Sequence, residues 1–348
     1  MYIGESHMSI QASATNQVTG TILSGMRPTG RLHLGNYLGA LQNWVDLQHS
    51  YKCIYTVVDI HALTTIESND DIANIKPNIF EMVLDWLAAG VDPERSTIFI
   101  QSHVPEVMTL NTLLGMVTPL GWLMRVPTFK EKVRQMEKTE DSVNYGLVGY
   151  PILQTADIIL YKADTVPVGQ DQLPHLELAR EIVRRFNNRF GDTFPEPQAK
   201  LTEVPLIVGL DGQQKMSKSL DNHIDLASSN DDTTKRVLTA FTDPQRTTRN
   251  TPGRPKICNV FSLHNVFTKD SDVSVIEQEC LDATRGCVDC KRQLAQNVNT
   301  YLEPLRERRA ELSKRPDDIK DILTYGAKTA RAIAKSTIEE VYSKMGLS

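Results

Sequence analysis

Two separated stretches of the chain carry side chains suited to holding a polyphosphate. The first is His33-Leu34-Gly35-Asn36, preceded by a turn that contains Gly30; the second is Lys215-Met216-Ser217-Lys218-Ser219, which follows Asp211 and Gly212. A glycine-bearing turn entering a helix lets backbone N–H groups approach phosphate oxygens, and the helix N-terminus adds about half a positive charge. The downstream loop offers two ammonium groups and two hydroxyls on a segment able to move. Between them, Tyr150, Gln154 and Asp157 stand at i, i+4 and i+7, a spacing that puts them on one face of a helix. A carboxylate at Asp157 could accept a hydrogen bond from a donor-only group such as a ring N–H. The same residues would also suit a polar stripe on an exposed helix. Four of the five cysteines, Cys258, Cys280, Cys287 and Cys290, cluster toward the C-terminal part. Four thiolates suit an iron–sulfur cluster or tetrahedral zinc. Cys53 falls in an apolar run and reads as packing.

The elements that must position these groups follow from patterning. Thr21 to Gly25 is a short β-type run, and Leu34, Leu38, Leu41 and Val45 then recur at helical spacing. Cys53 to Ile60 is a nearly continuous apolar run, as expected of a parallel strand covered on both faces. A helix pattern through Ile75, Ile79, Met82 and Trp86 stops at Gly90, and another strand pattern covers Thr97 to Gln101. This alternation predicts an α/β fold with a doubly wound, Rossmann-like parallel sheet whose ligands sit beyond the carboxyl ends of the strands. We expect a loose N-terminal extension over residues 1–20, a catalytic domain over 21–225 with a helical insertion near 105–190, and an α-helical domain over 226–348.

A length of 348 residues accommodates about two domains. With 40% hydrophobic and 23% charged residues the composition is that of an ordinary globular protein, not a fibre or a disordered chain. Met1 to Gly20 holds no Arg or Lys and no apolar block, so it matches neither a secretory signal nor a transit peptide. No apolar stretch approaches the ~18 residues needed to span a bilayer. A cytoplasmic location and no membrane partner are the expectations. The net charge of −5 does not itself point to nucleic acid. Local basic clusters occur at Arg184, Arg185 and Arg189, at Arg246, Arg249, Arg254 and Lys256, and at Arg306, Arg308, Arg309, Lys314 and Arg315. They suit either an RNA surface or solvated helix and loop faces.

His33 to Asn36 resembles the HIGH signature, and Lys215 to Ser219 matches the KMSKS signature, of class I aminoacyl-tRNA synthetases. The run from Gly25 to Gly39 resembles the opening of tryptophanyl-tRNA synthetases, and Val57–Leu63, Thr97–His103, Thr128–Lys132, Tyr150–Asp157 and Val166–Gln172 fall in that family's order. The resemblance implies activation of L-tryptophan with ATP and Mg²⁺, transfer to tRNA(Trp), and a homodimer. It assigns catalytic roles to His33, Asn36, Lys132, Lys215 and Lys218. ATP contacts would come from Arg27, Pro28, Thr29, Gly35, Asn36, Gly169, Gln170, Asp171, Leu206 and the loop Lys215, Met216, Ser217, Lys218 and Ser219. His61, Tyr150, Gln154, Asp157, Val166, Val168 and Gln172 would surround the amino acid. The sequence departs from the commonest bacterial pattern at Leu23, Arg27 and Gln154, where that pattern has Phe, Gln and Met. Tyrosyl-tRNA synthetases also combine Tyr, Gln and Asp at this spacing, so a tyrosyl enzyme is an alternative. A non-catalytic, synthetase-like RNA-binding or redox-sensing protein is another. The sequences around the four cysteines resemble a subset of tryptophanyl-tRNA synthetases with a 4Fe-4S cluster, which favours iron over zinc.

Overall fold

The computed structural model describes residues 18–66, 68–136, 139, 142–201 and 207–347. The expected N-terminal extension, up to residue 17, and the expected ATP contact Leu206 lie outside the described residues. Five strands, β1 (Thr21–Met26), β2 (Lys52–Val57), β3 (Ser96–Ile100), β4 (Thr165–Val168) and β5 (Gln198–Leu201), form a sheet in the order β3-β2-β1-β4-β5. Every pairing is parallel. The buried middle of β2, Cys53 to Val57, accounts for its unbroken apolar run. It ends at Val57 rather than Ile60, because Asp59 already starts a helical turn.

Helices α1 (Leu34–Asn36) and α2 (Gln42–Leu47) are joined by the π-helical turn Tyr37–Leu41. Then come α3 (Asp59–Ala62) and α4 (Asn69–Ala89), the latter capped by Ser68, which accepts the Asp71 N–H, and stopped by left-handed Gly90. Between β3 and β4 lie α5 (Glu106–Gly115), α6 (Leu120–Leu123), α7 (Pro127–Gln135) and α8 (Tyr145–Leu160), and α9 (Leu173–Phe190) follows β4. The stretch 105–190, expected to be a helical insertion, therefore also contains β4, too short to show a strand pattern. From residue 226 onward the regular elements are helical: α10 (Asn230–Leu238), α11 (Asn259–Phe267), α12 (Asp270–Leu281), α13 (Cys287–Ser313) and α14 (Pro316–Met345).

Two apolar cores flank the sheet. One joins α2 and α4 to α11 and α13; the other joins α5, α8 and α9 to the second half of α14. Ile319 and Leu323 of α14 belong to the first core, and Ala327, Ala330, Ala334, Ile338 and Val341 to the second. The last helix thus passes over the open edge strand β3 and shields it. In the sheet order the chain reverses direction between β1 and β4, the switch point at which parallel sheets open a crevice.

Candidate active site

Apart from Leu206, the residues expected to contact ATP lie in the segments that follow β1 and β4 or in a downstream loop that touches the first of these. Arg27, Pro28 and Thr29 follow β1, with the Thr29 N–H bonded to the Arg27 carbonyl at 2.8 Å. Gly169, Gln170, Asp171 and Gln172 follow β4 as a tight turn in which Gln172 donates to Asp171 Oδ2 at 2.9 Å. Val166 and Val168 are buried in β4. Arg27 donates to Thr65 Oγ1 at 3.0 Å.

The two signatures touch. Gly30 has φ of +129°, a region that penalises any side chain, and a Cβ there would lie 2.9 Å from the Lys218 ammonium. At Gly35 a Cβ would lie 3.1 Å from the His33 ring and 3.3 Å from Met216 Cβ. The backbone joins them as well: the Leu34 N–H donates to the Ile224 carbonyl at 2.9 Å, and the Leu226 N–H to the Leu32 carbonyl at 3.0 Å. Asn36 Oδ1 accepts the His33 N–H at 3.0 Å, fixing the entry to α1. Met216 is the buried plug of its loop, whereas Lys215 and Ser219 are exposed. Ser217 and Ser219 hydroxyls stand 2.9 Å apart.

Asn222, which sequence reasoning missed, holds this loop. Its Oδ1 accepts the Ser217 N–H at 2.7 Å, and its Nδ2 donates to Asp211 Oδ2 at 2.8 Å and to the Lys215 carbonyl at 3.2 Å. Burial, together with His223, Lys218 and Lys215, pushes the His33 imidazole down to about 4, so it is neutral at physiological pH. Burial lowers the Lys218 ammonium, against Asp225 and Asp85, which favour its charge.

On the other side of the crevice, α8 carries Tyr150 and Asp157 buried and Gln154 half-buried, so the predicted common face is real. Gln101 Nε2 donates to Asp157 Oδ1 at 2.9 Å and to Oδ2 at 2.7 Å, and His61 Nε2 lies 3.0 Å from Oδ2. Gln101 is itself fixed, its Oε1 accepting the Ile60 and His61 N–H groups at 3.1 and 3.2 Å. A carboxylate has about four lone-pair sites, so Asp157 keeps capacity for one further donor. Sequence reasoning left Gln101 out, although its place at the end of a buried parallel strand is where ligand-facing residues collect.

The Tyr150 hydroxyl lies 2.8 Å from Thr128 Oγ1 and 2.5 Å from His175 Nε2, and the latter two atoms are 2.7 Å apart. No sequence signal pointed to His175. Burial first, then Lys132, holds its imidazole near 4. Lys132 lies 4.2 Å from the centre of the Tyr150 ring, a cation–π contact, and burial together with Arg27 lowers its ammonium to about 8. A lysine so poorly solvated gains from meeting an anionic phosphate.

The basic clusters are mostly engaged within the chain. Arg184 pairs with Glu177, Glu181 and Glu196, and Arg185 donates to the Val117 carbonyl at 2.6 Å. Arg246 donates to the carbonyls of Arg249 and Arg285, and Arg254 pairs with Asp243, whose carboxyl that guanidinium pulls down to about 2. Arg306 donates to Leu226, Asn230, Asn299 and Thr233. Lys314 and Arg315 pair with Glu311 and Asp318. Many of these cations thus have partners within the chain, while Arg254, Lys314 and Arg315 stay exposed.

The four cysteines expected to bind metal are free thiols in one neighbourhood, Cys258 before α11, Cys280 in α12, and Cys287 and Cys290 at the start of α13. Burial pushes the Cys290 thiol up to about 12, opposed by Arg285 and reinforced by Cys258, Cys280 and Cys287. Among the described residues, however, no three His, Cys, Asp or Glu side chains are arranged to hold a metal ion. The expected 4Fe-4S cluster, or zinc, on these four cysteines is therefore not supported by their arrangement here. Among the described residues no helix is long and apolar enough to cross a membrane.

Residues 15–303 match the family model for class I tRNA synthetases of the W and Y group. The chain is 44% identical over 328 residues to the tryptophan–tRNA ligase of Thermotoga maritima, covering 94% of this chain and 99% of that one. It is 41% identical over 395 residues to that of Aquifex aeolicus, covering 94% and 99%. A crystal structure of tryptophanyl-tRNA synthetase from Campylobacter jejuni, complexed with ADP and tryptophan, superposes with a TM-score of 0.84 at 35% identity, covering 94% of this chain and 100% of that one. With signatures in contact at the switch point of a parallel sheet, and relatives that span nearly its whole length, the chain belongs to the class I tRNA synthetases of the tryptophan and tyrosine family.

Proposed function

We propose that the protein is a tryptophan–tRNA ligase. The observation that carries this reading is the contact of the two signatures, Lys218 against Gly30 and Met216 against Gly35, across the crevice from a buried carboxylate with one acceptor site to spare. In the first step a carboxylate oxygen of tryptophan attacks the α-phosphorus of ATP, and the bond to the pyrophosphate oxygen breaks. Lys215 and Lys218 stabilise charge on the departing pyrophosphate, with Mg²⁺ accompanying ATP and Lys132 as a second phosphate ligand. His33 and Asn36 shape the turn beneath the nucleotide, and the Arg27–Thr29 and Gly169–Asp171 segments flank it. Asp157 accepts the indole N–H, oriented by Gln101 and His61. In the second step the 3′-terminal hydroxyl of tRNA(Trp) attacks the adenylate carbonyl and AMP leaves.

Asp157 could equally accept from a phenol, so the preference for tryptophan over tyrosine rests on the tryptophan ligases at 41 to 44% identity. ATP–pyrophosphate exchange dependent on tryptophan and Mg²⁺ tests it; a faster rate with tyrosine would overturn it.

The finer parts of the proposal are a cytoplasmic homodimer, the anticodon read by the helical region 226–348, and a 4Fe-4S cluster on Cys258, Cys280, Cys287 and Cys290. The exposed apolar side chains Met108, Met116, Leu120 and Tyr145 on α5, α6 and α8 and beside them support association of two copies. Four neighbouring thiols, of which Cys280 and Cys290 are raised by burial and then by the others, are a donor set a cationic iron cluster would stabilise as thiolates. Iron and sulfide analysis of anaerobically purified protein tests the cluster; one equivalent of zinc without iron would refute it.

A further inference from the structure

A buried charge network lies behind the first signature and is used by none of the steps above. Asp85 of α4 is fully buried, and its Oδ1 accepts from Arg309 Nε of α13 at 2.6 Å. Arg309 also donates to Glu81 of α4, and Glu81 lies 3.9 Å from Arg31, two residues before His33. Asp85 Oδ2 reaches no partner within hydrogen-bond limits, yet the Leu32 N–H stands close enough to favour its charge. The carboxylate also acts on Lys218. One ion pair therefore joins a helix of the C-terminal region to the turn that leads into the first signature, and Lys218 of the second lies against Gly30 of that same turn. A salt bridge buried this deeply contributes little net stability and is costly only when one partner is lost, which suits a positional role.

We propose that Asp85, held by Arg309, is a positioning residue for ATP activation: the pair fixes the Arg31–His33 turn and Lys218 relative to α13, so the seating of the helical region governs how the polyphosphate is gripped. This rests on the activation reading above.

The test is ATP–pyrophosphate exchange by Asp85→Asn, Arg309→Met and the double variant, with melting temperature measured alongside. Each single variant is expected to raise KM for ATP at least fivefold, with KM for tryptophan within twofold of wild type. The double variant should be no worse than the worse single one, because the two act as a unit. In Asp85→Asn the alkaline limb of the rate should move to lower pH. Lys218 then keeps Asp225 as the anion favouring its charge, with Arg31 opposing and His33 and His223 as its titratable neighbours. Arg309→Lys retains the charge and should keep KM for ATP near wild type, which keeps the test decisive if Arg309→Met does not fold. Unchanged KM for ATP with only a lower melting temperature, or additive effects in the double variant, would overturn the proposal. Wild-type protein without tryptophan-dependent exchange would overturn the functional reading instead, and calorimetric ATP binding by the same variants would then test the link by itself.

Discussion

At the scale of single residues, the site divides into groups that touch substrate and groups that hold them. Lys218 lies against Gly30 because that glycine has no side chain, and its half-buried ammonium gains from a phosphate partner. Lys218→Ala is expected to lower the pyrophosphate-exchange rate about a hundredfold with tryptophan binding kept; an unchanged rate would remove Lys218 from the chemistry. Gln101 is a holding group. Gln101→Met deletes the donors to both Asp157 oxygens and the acceptor for two backbone N–H groups. Its cost should show as about a tenfold or greater rise in KM for tryptophan, from roughly 1–3 kcal/mol of lost buried hydrogen bonding, with KM for ATP little changed. A rise in both constants alike would mean that Gln101 acts through general folding.

The secondary-structure elements decide which of these groups can meet. Strand β3 would be an open edge, and α14 closes it so tightly that a Cβ at Gly326 would fall 1.8 Å from the Ile98 carbonyl oxygen. Gly326→Ala must push the helix off the strand. We expect a loss of about 3 kcal/mol, the upper part of the range for overpacking, read as a fall in Tm of about 4 °C. A variant as stable as wild type would show that α14 is loosely seated. The cost appears in the chain's second core and only indirectly at the crevice, so pyrophosphate exchange by the folded fraction should persist.

For the molecule as a whole, three buried imidazoles make stability depend on pH. Burial above all holds His33, His175 and His264 near 4, with His223, Lys218 and Lys215 adding at His33, Lys132 at His175 and Arg285 at His264. The unfolded chain takes up these protons near 6.5, the folded one only near 4. Their contribution is therefore complete above about pH 6.5 and is lost as pH falls toward 4. Tm should fall progressively between pH 6.5 and 5, before most carboxylates titrate, and His264→Gln should flatten that slope. A flat profile over this window would show that the rings titrate in the fold as they do in the unfolded chain.

The sequence alone determined the alternation of strands and helices, the glycine turn into α1, the lysine loop and the common face of Tyr150, Gln154 and Asp157, because these depend on local periodicity and backbone chemistry. It could not show that β4 lies beside β1, nor that Met216 fills the space above Gly35, since those contacts join residues far apart in the chain. Gln101, His175, Asp85 and Arg309 acquire their roles only from such contacts, and each is an ordinary polar residue when read in order; Asn222 acquires its role from the folding of its own loop. Charge was ambiguous for the same reason. Arg184, Arg246, Arg254 and Arg306 suit an RNA surface or solvated faces when read in order, and only packing supplies the carboxylates and carbonyls they also meet. The two signatures with which the chain announces its chemistry were legible as separate motifs; that they form one site was decided by the sheet's switch point and the backbone bonds between Leu32–Leu34 and Ile224–Leu226.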